Sequence, residues 1–414
     1  MHTVIVLALV LSAASVAECV AWPLFGVRAW KEWRRSPVVR DGLRTPPASF
    51  PRVSVVVPAH DEERVAAGCA RSILASDWPD LEVVFVLDRC TDGTEAALAP
   101  IAAADPRLRI EVNRDCPPDW AGKCNAARVG AARATGELVL FADADTRFDP
   151  QLVRASVGMM RARRLDMLSL WSSPRQERWF EQVVQPVTAI VMLKLFPMRR
   201  IDGTLGRRPF ANGQFMLFER RAYEAFGGHA AVKDDLLEDL AFARGMRRMR
   251  MRQDSAIADG MLTVAMYDAW PAFREGWKRI FIESCTRNPR RLAEQAWQIA
   301  AIGAVLPAVR TVSLALALAA VLAPDASVDE GAMILAKLAV LVAAAAAVLR
   351  LCVVAVAYRL GRFPVWASVL FPVATVAVAR ILLAGARDLR NRVPIRWGGR
   401  DDADLAEALQ RVEE

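Results

Sequence analysis

Apolar residues along this chain follow two regimes. Val4–Phe25 is an almost unbroken apolar run, and after Ala296 come three more: Ile299–Leu322, Ala332–Ala357 and Val365–Gly385. A helix rising ~1.5 Å per residue needs about 20 residues to cross a hydrocarbon core of ~30 Å, so each run predicts a spanning helix. From Val53 onward the pattern differs. Val53–Val57, Leu81–Leu87 and Leu138–Ala142 are short apolar runs, separated by amphipathic stretches at Glu62–Ala75 and Asn125–Ala134. Buried strands alternating with helices predict an α/β domain whose mostly parallel sheet is covered on both faces. Ligands bind such sheets beyond the carboxyl ends of the strands.

A cleaved signal peptide would also begin with an apolar run. Here no Lys or Arg precedes the run, and Arg28, Lys31, Arg34 and Arg35 follow it, which predicts an uncleaved anchor with its C-terminal end in the cytoplasm. Arg310, Lys337 and Arg380 interrupt the later runs and must face protein or reach the interface. If all three runs cross, the tail bearing Arg387, Arg390, Arg392 and Arg396 lies outside, against the positive-inside tendency, so two to three C-terminal crossings are expected. Trp179–Met198 is apolar but holds Glu181, Gln185 and Lys194, and is expected as an interfacial helix, with a buried domain helix as the alternative. The resulting division is an anchor over 1–27, a linker over 28–52, a catalytic domain over 53–296, a membrane region over 297–386 and a charged tail over 387–414.

Composition supports two zones of different polarity, with 54% hydrophobic and 24% charged residues in 414. The net charge of +8 suits an anionic lipid surface beside apolar spans better than nucleic acid. Seven cysteines, none in CxxC spacing, give neither a disulfide framework nor a zinc site, and suit a reducing compartment. With only His2, His60 and His229 available, carboxylates must carry any chemistry.

Those carboxylates sit at the strand ends. The first strand runs into Pro58-Ala59-His60-Asp61-Glu62-Glu63, the second into Asp88-Arg89-Cys90-Thr91-Asp92-Gly93-Thr94, and the third into Asp143-Ala144-Asp145. Each alone has a bland reading: acidic residues suit a helix first turn and Asp-Gly suits a turn. Together they predict one acidic edge of the sheet. Residues two apart on an extended strand point to the same side, so Asp143 and Asp145 would share a ribose and a hard divalent cation.

In these segments the chain resembles the inverting family 2 glycosyltransferases of the GT-A fold. The resemblance is carried by VSVVVPAHDEE (Val53–Glu63), LDRCTDGT (Leu87–Thr94), WAGKCNAAR (Trp120–Arg128) and FADAD (Phe141–Asp145), followed by NGQFMLFERRAYEAFGGH (Asn212–His229) and LLEDLAFARG (Leu236–Gly245). It extends from about Val53 to Arg291, and more loosely to Ile395–Arg400. It is most similar to transferases that glycosylate carotenoid, hopanoid or sphingoid lipids.

The resemblance implies roles. Pro58, Glu62 and Asp88 would meet the nucleoside, and Lys123 the donor diphosphate or sugar. Asp143 would hold the ribose and approach the metal, Asp145 would be the main metal ligand, and Asp239 the general base with Glu238 next to it. It also implies Mg2+ or Mn2+, a nucleotide-diphosphate sugar (a UDP-sugar first), a lipid acceptor, and a multi-pass protein of the inner membrane with a cytoplasmic catalytic domain. Asp61 departs from the Asn of many members. The Q-x-x-R-W signature of processive synthases is missing; Phe273-Arg274-Glu275-Gly276-Trp277-Lys278-Arg279 stands instead. There Arg274, Trp277, Lys278 and Arg279 are candidates to cover the diphosphate or acceptor, or to form a membrane-surface helix. A processive polysaccharide synthase, or a silent nucleotide-sugar-binding sensor or assembly subunit, are the alternatives to lipid glycosylation.

Overall fold

The computed structural model describes residues 2–197, 209–233, 237–322 and 328–393, with the backbone of 396–397 and 400–401. By contacts the chain divides into two units: a sheet unit of Arg35–Arg175 and Phe196–Ala269, and a helical unit of Met1–Arg34, Gln176–Leu195 and Trp270–Val393. Segments 176–195 and 270–296, expected within the catalytic domain, thus group with the helices.

In the sheet unit the strands are β1 (Val53–Ala59), β2 (Leu81–Asp88), β3 (Leu108–Asn113), β4 (Leu138–Ala142), β5 (Thr146–Phe148), β6 (Met167–Trp171), β7 (Ser173–Pro174), β8 (Phe215–Glu219), β9 (Gln253–Ile257) and β10 (Leu262–Val264). Seven of them form one sheet in the order β3-β2-β1-β4-β8-β6-β9, and β5-β10-β7 form a second, small one. β1 pairs in parallel with both β2 and β4, whereas β8 runs antiparallel to β4 and β6. The result is the mostly parallel mixed sheet expected of the GT-A fold.

Its central strands are buried from both sides, which is why they are continuous apolar runs rather than alternating ones. Val53 is level with both Leu81 and Leu138, so β1, β2 and β4 deliver their carboxyl ends to the same edge. Reversed β8 pairs Phe215 with Ala142. The residues just before β8 therefore meet the residues just after β4. On one face the helix Gly122–Arg133 lies close against the sheet because Gly130 has no side chain; a Cβ there would come within 2.4 Å of Val56 Cγ1.

Four helices of the helical unit, Thr3–Arg35, Pro289–Leu322, Glu330–Leu360 and Val365–Arg390, are long and apolar enough to cross a membrane. Arg310, costly within a span, forms a buried ion pair with Glu18 at 2.7 Å. Lys337 and Arg380 are exposed. The stretch expected as one interfacial helix is instead two, Trp179–Val183 and Gln185–Leu195, with Val187, Thr188 and Val191 buried. Pro186 accounts for the break, since proline fits the first turn of a helix and not its interior. Met198, Arg199 and Arg200 lie outside the described residues, as do Asp234, Asp235 and the tail beyond Asp401.

Candidate active site

The acidic edge of the sheet converges on one lysine. Lys123 is the second residue of the helix Gly122–Arg133. Its Nζ lies 2.8 Å from Asp143 Oδ1 and 2.8 Å from Glu238 Oε1. Asp143 follows β4, and Glu238 opens the helix Glu238–Arg248. Three elements distant in sequence are thus joined through one ammonium group. Burial works against the lysine's charge, yet the two carboxylates outweigh it and hold its pKa well above the usual value.

Asp239 sits half-buried beside this cluster. Its Oδ2 accepts a hydrogen bond from Gly213 N at 2.8 Å and its Oδ1 one from Leu240 N at 2.6 Å. Gly213 belongs to the segment leading into reversed β8, which explains how it reaches this edge. Burial, and then the neighbouring Glu238 carboxylate, push the Asp239 pKa up to about 7. A carboxylate poised there can take a proton near neutral pH.

The Asp-Ala-Asp segment differs from its expected geometry. β4 stops at Ala142, and Asp143–Asp145 form a turn closed by Thr146, whose N donates to Asp143 O at 3.2 Å and whose Oγ1 donates to it at 2.7 Å. The two carboxylates share a neighbourhood because the chain turns, not because a strand alternates. Asp145 Oδ1 is buried and has no hydrogen-bond partner among the described residues. Burial first, then Asp143 and Glu62, raise the Asp145 pKa well above the carboxylate range. Glu62 is likewise pushed up to about 7 by burial and by Asp143. An orphaned buried oxygen in a cluster of mutually repelling carboxylates is a donor set that fits a hard divalent cation.

Asp88 lies at the carboxyl end of β2 and is 3% exposed. Asn113 Nδ2 donates to its Oδ1 at 2.8 Å and Arg89 Nη2 to its Oδ2 at 2.7 Å. Pro58 is half-buried in β1. The departure at Asp61 has a plain account. Its φ of 55° is left-handed, a conformation Asn and Asp both tolerate, and its Oδ1 accepts from Thr91 N at 2.7 Å and Asp92 N at 3.3 Å. Either side chain offers that oxygen. The Thr91 hydrogen bond holds the Asp61 carboxyl below its usual range.

Arg274, Trp277, Lys278 and Arg279 lie on the helix Trp270–Ser284 of the helical unit. Trp277 is buried, and Lys278 pairs with Glu275 at 2.6 Å and Asp388 at 2.8 Å. The Asn212-Gly213-Gln214 motif carried no expected task from the sequence. Its task is local: Gly213 orients Asp239, and a Cβ at that position would stand 2.9 Å from Lys123 Nζ. The signal was a glycine just ahead of an apolar strand.

Comparison with known proteins fits this geometry. An N-acetylglucosaminyltransferase of Sinorhizobium fredii is 30% identical over 140 residues, covering 32% of this chain and 33% of that protein. A beta-monoglucosyldiacylglycerol synthase of Nostoc is 27% identical over 206 residues, covering 47% of this chain and 41% of that protein. The chain thus spans well under half the length of these relatives. A mannosyltransferase of Pyrobaculum calidifontis, solved with GDP-Man and Mn2+, aligns over 83% of this chain and 98% of its own at 20% identity and a TM-score of 0.46. Residues 54–227, which include Lys123, Asp143, Asp145 and Gly213, match the family model Glycosyl transferase family 2.

Proposed function

We propose that this protein transfers a sugar from a nucleotide-diphosphate sugar to a hydroxyl group of a membrane lipid, with inversion at the anomeric carbon. The observation that carries the reading is Asp239: a half-buried carboxylate with a pKa of about 7, fixed by two backbone N–H groups beside Lys123, Asp143 and Glu238. As the acceptor oxygen attacks the anomeric carbon, Asp239 takes its proton. The bond from that carbon to the diphosphate oxygen breaks, and the nucleotide diphosphate leaves with the electron pair. One displacement with no covalent intermediate inverts the centre.

Lys123 supplies positive charge at this edge for the diphosphate. Asp143 and Asp145 would hold a magnesium or manganese ion, which neutralises charge on the leaving group when bound. Pro58, Glu62 and Asp88 would line the nucleoside subsite, with a UDP-sugar the first donor to try. The lipid acceptor rests on the four membrane-capable helices and on the name of the diacylglycerol-glucosylating relative. Arg28, Lys31, Arg34 and Arg35 at the end of the first helix support a cytoplasmic catalytic domain, and the inner membrane goes with that reading. Impermeant thiol reagents applied outside intact cells should therefore leave Cys116 unlabelled.

The test is incubation of the purified protein with nucleotide sugars and native membrane lipids, read by mass spectrometry. The expected product is a lipid heavier by one sugar residue. A long glycan product, or donor binding without transfer to any lipid, would overturn the reading.

A further inference from the structure

We infer that the helical unit holds a binding site for the phosphate headgroup of an anionic membrane lipid, an inference that does not rest on the proposed sugar transfer. A cavity of about 380 Å³ lies between the helices Trp270–Ser284 and Phe371–Arg390. Ligand sites commonly occupy ~300–1,000 Å³, so it has room for a headgroup and the start of a chain. Arg274, Lys278, Arg380 and Arg387 line it, against the carboxylates of Glu275 and Asp388, leaving two positive charges in excess.

The ion pairs show where that excess sits. Lys278 Nζ takes one oxygen from each carboxylate, at 2.6 Å from Glu275 and 2.8 Å from Asp388. Arg274 and Arg387 reach the same two acids only at 3.6 and 4.0 Å. Arg380 makes no ion pair among the described residues, although it lies within a helix apolar enough to span a membrane. A cation there is costly unless an anion meets it.

The remaining lining chooses the kind of anion. Ala377, Ile381 and Ala384 stand on the same face of their helix as Arg380 and Asp388, giving an apolar floor beneath a cationic wall. Trp270 also lines the cavity, and tryptophan suits the boundary between water and hydrocarbon. A free phosphate satisfies the wall and leaves the floor bare, whereas a lipid phosphate satisfies both.

The experiment is native mass spectrometry of the full chain in detergent, titrated with phosphatidylglycerol, phosphatidylcholine or inorganic phosphate. One phosphatidylglycerol should be retained at least tenfold more tightly than phosphatidylcholine, and inorganic phosphate at the lipid's concentration should not displace it. Arg380→Gln should weaken phosphatidylglycerol at least tenfold and leave phosphatidylcholine unchanged, with Arg380→Lys keeping most of the affinity. If Arg380→Gln does not stay monodisperse, Arg387→Gln, at a position 74% exposed, carries the same expectation. Equal retention of the two lipids, or unchanged phosphatidylglycerol binding in the Gln variants, overturns the site. Displacement by inorganic phosphate would make it a free-anion site and overturn the lipid assignment.

Discussion

Asp239 and Asp145 are both carboxylates with raised proton affinity, yet they should respond differently to the same substitution. Asp239→Asn keeps the volume but cannot accept a proton. Single-turnover transfer should fall ~10²–10⁴-fold, with nucleotide binding by calorimetry little changed; near-normal turnover would move the base to Glu238. Because the Asp239 pKa is raised to about 7, its base form is lost as pH falls below that value. In the parent, kcat/KM should drop about tenfold per pH unit on the acid side, and a profile flat from pH 5 to 8 would exclude Asp239. Burial first, then Asp143 and Glu62, oppose ionisation of Asp145, so its folded pKa exceeds its unfolded one. The folded state then keeps a proton that the unfolded chain releases, and metal-free stability falls as pH rises above about 4. Asp145→Asn should flatten that decline in thermal melts, while abolishing the rise in melting temperature that magnesium or manganese gives the parent. An Asn variant that still responds to metal, or a parent with full transfer activity in EDTA, would remove the ion from the mechanism. Asp145 was legible because it follows an apolar run, whereas the role of Asp239 came from the family resemblance alone. Their environment was not legible, because Lys123, Glu238 and Gly213 approach from sequence positions that no local pattern links.

At the scale of elements, the parallel strands could be read from continuous apolar runs, and the observed strands extend those runs by two residues at β1 and one at β2. The direction of β8 could not, because a short strand with four apolar residues, Phe215–Phe218, fits either orientation. Yet it is that reversal which brings Gly213 to Asp239. The extended reading of Asp143–Asp145 failed for a similar reason: two-residue spacing occurs in turns as well as strands, and only Thr146 closes this one. Two glycines now separate packing from chemistry. At Gly130 an added Cβ meets Val56 Cγ1 at 2.4 Å and Val86 Cγ2 at 2.9 Å, both stiff side chains in the sheet. Gly130→Ala should therefore cost about 1–3 kcal/mol, as overpacked cores do. At Gly213 the nearest atoms are Lys123 Nζ at 2.9 Å and Glu238 Oε1 at 3.1 Å, the free ends of long side chains that can yield. Gly213→Ala should leave the melting temperature within a few degrees of the parent but lower transfer, since the Lys123 contacts must shift. The reverse pattern, stability lost at 213 and activity lost at 130 without destabilisation, would contradict the placement of both helices.

Over the whole molecule, the two hydrophobic regimes of the sequence became two sets of contacts, but their boundary moved. The segments 176–195 and 270–296 lie inside the domain expected over 53–296, yet they group with the helices. Charge inside the membrane-capable helices was visible as a problem whose solution was not. Arg310 demanded a partner, and the partner is 292 residues away in the first helix. Glu18 Oε2 accepts from Arg310 Nη1 at 2.7 Å, with side chains 1% and 6% exposed, and Trp22 Nε1 donates to Glu18 Oε1 at 3.4 Å. Such a pair gains its full Coulomb energy only against a large desolvation cost, so its net contribution can be near zero while losing one partner is severe. Glu18→Ala should cost about 3–5 kcal/mol, because a guanidinium is stranded in an apolar interior. The double variant Glu18→Ala, Arg310→Met should regain much of that loss, since the stranded Arg310 guanidinium is then gone, although Arg350 beside the pair still loses Glu18. Thermal melts of the detergent-purified single and double variants read the coupling directly. A double variant no more stable than Glu18→Ala would mean that the two residues act independently, and that the first helix is not tied to the C-terminal helices by this pair.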